Sequence, residues 1–336
     1  LKHAIKVFLG MICLFVGMRI DYHKLQRFTK IAVIAAVGLL FVTLVLGGEA
    51  KGATRWLTWN GIGFQPSEFA KYALLFHLCT LIATKGDLIR DLKKGFIPMM
   101  VWIGLVTGLV MLQPNFSMGS MIFLLSVLMM FIGRAKLSHL ALMFAILIPM
   151  LFVFMMSQEY RRARLAAFFS GSSSGKGNYQ LLQGILGFGN GGIFGVGPGE
   201  SKQRDFFLPE SYGDFVFSIV GEEYGFIGTI FFLLLFFVVM VRGFKVARHA
   251  VDSFGRNLAI AITSAVTLYA LINAGVTLGV LPTTGLPMPF VSYGGSSMVF
   301  SAGAIGVPSN ISSPTDLHPP APQVPAVGPV SAAEET

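Results

Sequence analysis

The stretch FVFSIVGEEYGFIGTIFFLLLFFVVMV, residues 215–241, decides the fold. Apart from the adjacent carboxylates Glu222 and Glu223 it is apolar throughout, and it exceeds the roughly 20 residues a helix needs to cross a bilayer. Such a run reads as a membrane span. Carboxylates within it are costly beside hydrocarbon, so Glu222 and Glu223 are expected to face the interior of a helix bundle. Immediately upstream, FFLPESYGD (206–214) adds Glu210 and Asp214. Only 16 acidic residues occur in the whole chain, so their gathering here calls for a cause.

The composition agrees with a membrane protein. Of 336 residues, 54% are hydrophobic and 12% charged, against roughly 25% charged in a soluble globular chain. An all-α polytopic membrane protein is expected, with nine transmembrane helices at 4–20, 31–47, 66–84, 96–112, 118–132, 139–156, 215–241, 257–280 and 292–307. The net charge of +9 does not point to nucleic acid, because the cations sit in short segments between apolar runs. Cys13 and Cys79 lie inside apolar runs, and the histidines lack ligand spacing, so neither a disulfide nor a metal site is expected. The chain begins at Leu1 without a methionine, and a preceding segment is expected.

Charge sets the orientation. Segments 21–30, 85–95, 133–138 and 242–256, with boundary Arg19, hold most of the cations, whereas the alternate short loops 48–65, 113–117 and 281–291 hold only Lys51 and Arg55. The positive-inside rule makes the first set cytoplasmic. A large extracytoplasmic loop, 157–214, then separates the sixth and seventh spans and carries Arg161, Arg162 and Arg164. A loop of that length in a compact bundle reads as functional. From 308 to 336 the chain is proline-rich and without apolar periodicity, which reads as a disordered cytoplasmic tail.

Three other segments carry chemistry. GFGNGG (187–192) matches a dinucleotide fingerprint formally, but no strand precedes it, and a flexible loop is the plainer expectation. In GATRWLTWNGIGFQPSEFAK (52–71), Pro66 suits a first helical turn, and Glu68 and Lys71 are spaced to face each other one turn into the membrane. Lys71 reads either as a snorkelling cation or as one held near an anionic substrate. Arg55, before Trp56 and Trp59, suits phosphate recognition at an aromatic belt. LPTTGLPMPFVSYGGSS (281–297) is irregular backbone at membrane depth, which reads as a cavity lining or a rigid turn. A helix is expected to start at Gly213 or Asp214, putting Glu222 about 12 Å further along the axis. Asp214 is then either a helix cap or a general base at the mouth of an outward-opening cavity.

Together, GATRW, QPSEFAK, FLPESYGDFVFSIVGEEYGFIG and LPTTGLPMPFVSYGGSS resemble, in order and spacing, the SEDS (shape, elongation, division and sporulation) family of FtsW/RodA-type peptidoglycan glycosyltransferases. The resemblance covers about residues 1–306. It implies a ten-span fold whose first span precedes this chain, in a bacterial cytoplasmic membrane. It also implies polymerisation of lipid II (undecaprenyl-pyrophosphate-linked disaccharide peptide) at the outer face, beside a class B penicillin-binding transpeptidase and other division-complex membrane proteins. The family's catalytic aspartate falls on Asp214, and its polar substrate-binding positions on Arg55, Glu68, Lys71, Arg161, Glu210 and Glu223. YRRARLAAF and GEEYGFIG lean towards the division type. A lipid II flippase, a scaffold for the transpeptidase and an elongation-type polymerase are the alternatives. No motif demands a cofactor, although a divalent cation, Mg or Mn, would be compatible with the chemistry. The chain departs from the family at Asn115, where Asp is common, at Gly213, which replaces a threonine, and at Pro308, which interrupts an apolar span.

Overall fold

The computed structural model describes residues 2–50, 53–59, 62–157, 162, 176–209 and 211–312. Its helices are α1 (Lys2–Arg19), α2 (Tyr22–Leu46), α3 (Pro66–Lys85), α4 (Ile97–Leu112), α5 (Phe116–Ile132) and α6 (Leu137–Met156). There follow α7 (Lys176–Gly191), α8 (Val216–His249), α9 (Ser253–Thr277) and α10 (Gly295–Ser312). Each expected span falls on one of these helices. Among the described residues, five stretches are long and apolar enough to cross a bilayer: Tyr22–Leu46, Pro66–Arg90, Leu92–Leu112, Val216–His249 and Ser253–Thr277.

α9 is the centre of the bundle. Its most apolar stretch is 72% buried, against 17% for that of α8, whose Phe226, Phe231, Leu234 and Phe237 face outward as lipid-facing side chains must. Leu258, Ile262 and Ala265 of α9 join Leu74, Leu75 and Leu78 of α3 and Ile103 and Val106 of α4 in one core. α1 lies on α10 through small residues: a Cβ on Gly17 would fall 2.3 Å from the Gly303 carbonyl oxygen, and one on Gly306 2.4 Å from that of Leu14. Such close backbone approach is a common way for helices to associate in lipid.

Alternate loops gather at opposite ends. At one end the Tyr22 hydroxyl donates to Asp252 (2.6 Å), and Asn310 Nδ2 donates to the Met18 carbonyl (3.1 Å). At the other, the Gln65 amide donates to Ser296 Oγ (3.1 Å) and the Tyr293 amide to the Tyr212 carbonyl (2.8 Å). The alternation read from charge is therefore present as geometry, with the basic loops on the Tyr22 side.

The differences from expectation are local. The 48–65 loop is a three-stranded antiparallel sheet, β1 (Gly48–Ala50), β2 (Ala53–Trp59) and β3 (Ile62–Phe64). Trp59 pairs with Ile62, so the intervening Asn60–Gly61 of the sequence is a two-residue hairpin signal that treating the segment as a plain loop passes over. α8 starts at Val216 rather than at 213 or 214, and Gly225 (φ 67°, ψ −165°) interrupts it. A straight 12 Å descent from Asp214 to Glu222 therefore does not apply, because only glycine takes that backbone conformation without strain and the chain changes direction there. Part of the 157–214 loop is helical, as α7 and a tight turn over Gln203–Phe207. α10 runs through Pro308 to Ser312, past the expected start of the tail, and the tail beyond it lies outside the described residues.

Candidate active site

Asp214 stands two residues before α8, in a turn gripped by its main chain. Asn273 of α9 donates from one Nδ2 to two carbonyls, those of Asp214 (2.7 Å) and Leu286 (2.8 Å). Ser292 Oγ donates to the Gly213 carbonyl (2.8 Å) while accepting from the Met288 amide (2.8 Å). The 212–214 turn is thus held at three consecutive carbonyls, Tyr212 being the third, by α9 and the 281–297 segment. Gly285, at φ 73°, faces the carboxylate, and a Cβ there would sit 3.2 Å from Asp214 Oδ2. The cap position of α8 is Phe215, one residue beyond Asp214. Such a clamp fixes the main chain that carries the half-buried Asp214 carboxylate.

Asn273, which holds the Asp214 turn, is a residue of the candidate site that the sequence did not reveal. It is a buried asparagine in a helix of small and polar side chains, and its partners come from segments 59 and 13 residues away. The only signal was an amide on a membrane helix one turn from Tyr269.

Glu68 and Lys71 meet as their spacing predicts, Nζ to Oε2 at 2.7 Å, with the side chains 1% and 2% exposed. Lys71 Nζ also lies 4.1 Å from the Tyr269 ring centroid and 4.7 Å from that of Tyr72, so its charge is enclosed by one carboxylate and two aromatic faces. In this arrangement a phosphate would reach Lys71 only by opening the pair. Tyr269 and Asn273 are one turn apart on α9, about 6 Å along the axis. One helix face therefore connects the ion pair to the Asp214 turn. Arg55 donates from Nη2 to the Pro114 carbonyl, drawing the sheet onto the α4–α5 connection. Asn115, beside it, occupies the N-cap position of α5 without a side-chain capping bond.

The two glutamates inside α8 bond to residues 190–204 rather than to a neighbouring span. Glu222, 1% exposed, accepts from Ser201 Oγ, from the Gln203 amide (3.1 Å) and from Asn190 Nδ2 (3.4 Å). Glu223 accepts from Arg204 Nη1 (2.8 Å). Arg204 also binds Asp205 (2.7 Å) and the Gly199 carbonyl (2.6 Å), and its hydrogen bond holds the Asp205 carboxyl below the usual range.

The glycine-rich run, expected to be a flexible loop, closes α7 and lies along α8. The Val196 and Gly197 amides donate to the Glu222 and Glu223 carbonyls (3.0 and 3.1 Å), and the Phe226 amide donates to the Gly192 carbonyl (2.9 Å). Arg161 and Glu210 lie outside the described residues. Among those described, no three metal-ligating side chains converge.

A family model described as "Cell cycle protein", FTSW_RODA_SPOVE, matches residues 1–316. A protein of Trichlorobacter lovleyi named "Probable peptidoglycan glycosyltransferase FtsW" is 37% identical over 328 residues, covering 95% of this chain and 84% of the relative. One of the same name from Geobacter metallireducens is 36% identical over 314 residues, covering 93% and 84%. A solved structure described as "Structural coordination of polymerization and crosslinking by a peptidoglycan synthase complex" superposes with a TM-score of 0.78 at 25% identity, covering 93% of this chain and 88% of that one.

Proposed function

This chain belongs to the FtsW/RodA/SpoVE family, and from that premise we propose that it is a peptidoglycan glycosyltransferase polymerising lipid II at the outer face of the cytoplasmic membrane, in the septal synthesis of cell division. The names of its relatives support the activity and the division role. The similar structure described as a synthase complex supports a crosslinking partner, which we assign to a class B penicillin-binding transpeptidase.

The observation that carries the reading is the clamped Asp214 turn between Asn273 and Ser292. In the proposed step the acceptor's GlcNAc 4-hydroxyl gives its proton to the Asp214 carboxylate as its oxygen attacks the donor's anomeric carbon. The bond to undecaprenyl pyrophosphate breaks with inversion. Arg55 and the arginines at 161–164 are the cations assigned to the departing pyrophosphate. Glu68 and Lys71 act on this site through α9, and Glu223 through Arg204. Glu210 is assigned to the substrate mouth because it precedes the turn.

The test is Asp214→Asn, purified with its transpeptidase and supplied with lipid II. A carboxamide keeps the shape and the main-chain clamp but accepts no proton at neutral pH. Polymerisation is expected to fall about 100-fold or more, with thermal stability and lipid II binding unchanged. Parental polymerisation by Asp214→Asn would overturn the assignment and favour a lipid II flippase.

A further inference from the structure

Far from Asp214, the end of the bundle that bears the basic loops holds a cavity of about 500 Å³ between α8, α9 and α10. Arg242, Lys245 and His249 of α8 line it, three and four residues apart and so on one helix face. Thr263, Ser309 and Ser312 add hydroxyls, and no carboxylate lines it among the described residues. Its walls include Val239, Val246 and Ile305. The lining therefore grades from methyl groups to cations over one concave surface.

Two backbone features make the space. Gly243 brings α8 against α9, since a Cβ there would fall 2.0 Å from Thr263 Oγ1, and this contact closes the back. Pro308 lies inside α10 and lines the cavity. It has no amide to offer the carbonyl four residues before it, so α10 is loosened at the point where the cavity opens. That gives a physical account of a proline that hydropathy alone leaves unexplained. His249 donates from Nδ1 to the Lys245 carbonyl (2.8 Å), which fixes the ring and leaves Nε2 free of that contact.

A recess between membrane helices, lined by apolar side chains, hydroxyls and cations, matches one ligand chemistry, a phosphodiester carried on acyl chains. Basic pockets between transmembrane helices on the cytoplasmic side bind anionic headgroups for this reason. We propose that this cavity binds the headgroup of an anionic phospholipid of the inner leaflet, with the phosphate between Arg242, Lys245 and the Ser309 and Ser312 hydroxyls. The first acyl carbons lie against Val239, Val246 and Ile305. The leaflet follows from the charge-based orientation; the site itself does not depend on the polymerase reading.

The experiment titrates the purified full chain in neutral detergent with phosphatidylglycerol, phosphatidylcholine or glycerol 3-phosphate, counting bound lipid by native mass spectrometry. Saturable binding of phosphatidylglycerol is expected, about tenfold or more tighter than phosphatidylcholine, with glycerol 3-phosphate a poor competitor. Arg242→Gln with Lys245→Gln should erase the preference. Lys93→Gln with Lys94→Gln removes the same charge elsewhere at this end and should leave it intact. Ser312→Trp fills the cavity without changing charge and should also abolish binding, while melting curves report that each variant is folded. Equal weakening by the two charge pairs would reduce the site to general surface attraction and overturn the proposal. Glycerol 3-phosphate competing as well as the lipid would make it a small-anion site instead. Binding that emerges only after removal of residues 313–336, whose Asp316, Glu334 and Glu335 are acidic, would give the cavity to the chain's own tail.

Discussion

Lys71 is enclosed on every side that the structure shows: Glu68 at 2.7 Å, the ring of Tyr269 on one flank and that of Tyr72 on another. A charge so placed is held by its partner, and removing either member strands the other. Lys71→Met is expected to cost about 3–5 kcal/mol, because it leaves the Glu68 carboxylate buried and unpaired. Combining Glu68→Gln with Lys71→Met should recover most of that stability, since the double variant buries no charge. If the pair works by seating α3 against Tyr269, polymerisation of lipid II will recover with the melting temperature. A double variant that is stable but inert would return Lys71 to the substrate. The pairing was legible in the sequence, because i and i+3 residues share a helix face. The tyrosine cage was not, since it needs a residue almost 200 positions away. Asp214 was legible through its neighbours and its family resemblance. Asn273 was hidden, because a lone amide in an α-helix carries no periodic signal.

Elements are placed in this bundle by glycine as much as by apolar surface. The 191–197 segment lies so close to 221–227 that a Cβ on Gly195 would fall 2.1 Å from the Glu223 carbonyl oxygen, at a φ of 84° that side-chain-bearing residues resist. Gly189, in the same glycine-rich stretch, is helical, and a Cβ added there would meet nothing within 4 Å. The two positions should therefore respond oppositely to alanine. Gly195→Ala is expected to lose about 2 kcal/mol or more through strain and overpacking. Gly189→Ala should be neutral or stabilising by up to about 1 kcal/mol, as alanine favours a helix. Melting temperatures in one detergent measure both, and equal effects would refute the close contact. The sequence announced that glycine mattered here but not against what, because the partner backbone is some 30 residues away. The membrane helices were found despite this, since apolar runs report them directly, whereas α7 was missed because its glycines read as a loop. The kink at Gly225 was missed too, because a glycine inside an apolar run looks the same whether the helix continues or turns.

At the scale of the whole molecule, alternation of charge between short loops became alternation of ends. Tyr22, Asp252 and Asn310 meet at one end, Gln65, Ser296 and the 212–214 turn at the other. That geometry says which loops share a side, and only the cation bias says which side is cytoplasmic. On the orientation proposed from the excess of Lys and Arg on the Tyr22 side, Lys93 is expected inside and Lys176, at the start of α7, outside with Asp214. The orientation matters for function because lipid II polymerisation at the outer face requires the Asp214 end to be the outer one. Single cysteines at positions 93 and 176, in a chain whose Cys13 and Cys79 are replaced by alanine, can be exposed in intact cells to a membrane-impermeant maleimide. Labelling is expected at 176, and at 93 only after the membrane is opened. Labelling at 93 but not at 176 in intact cells would invert the molecule, moving the clamped aspartate to the cytoplasmic face and the cationic cavity to the outer leaflet.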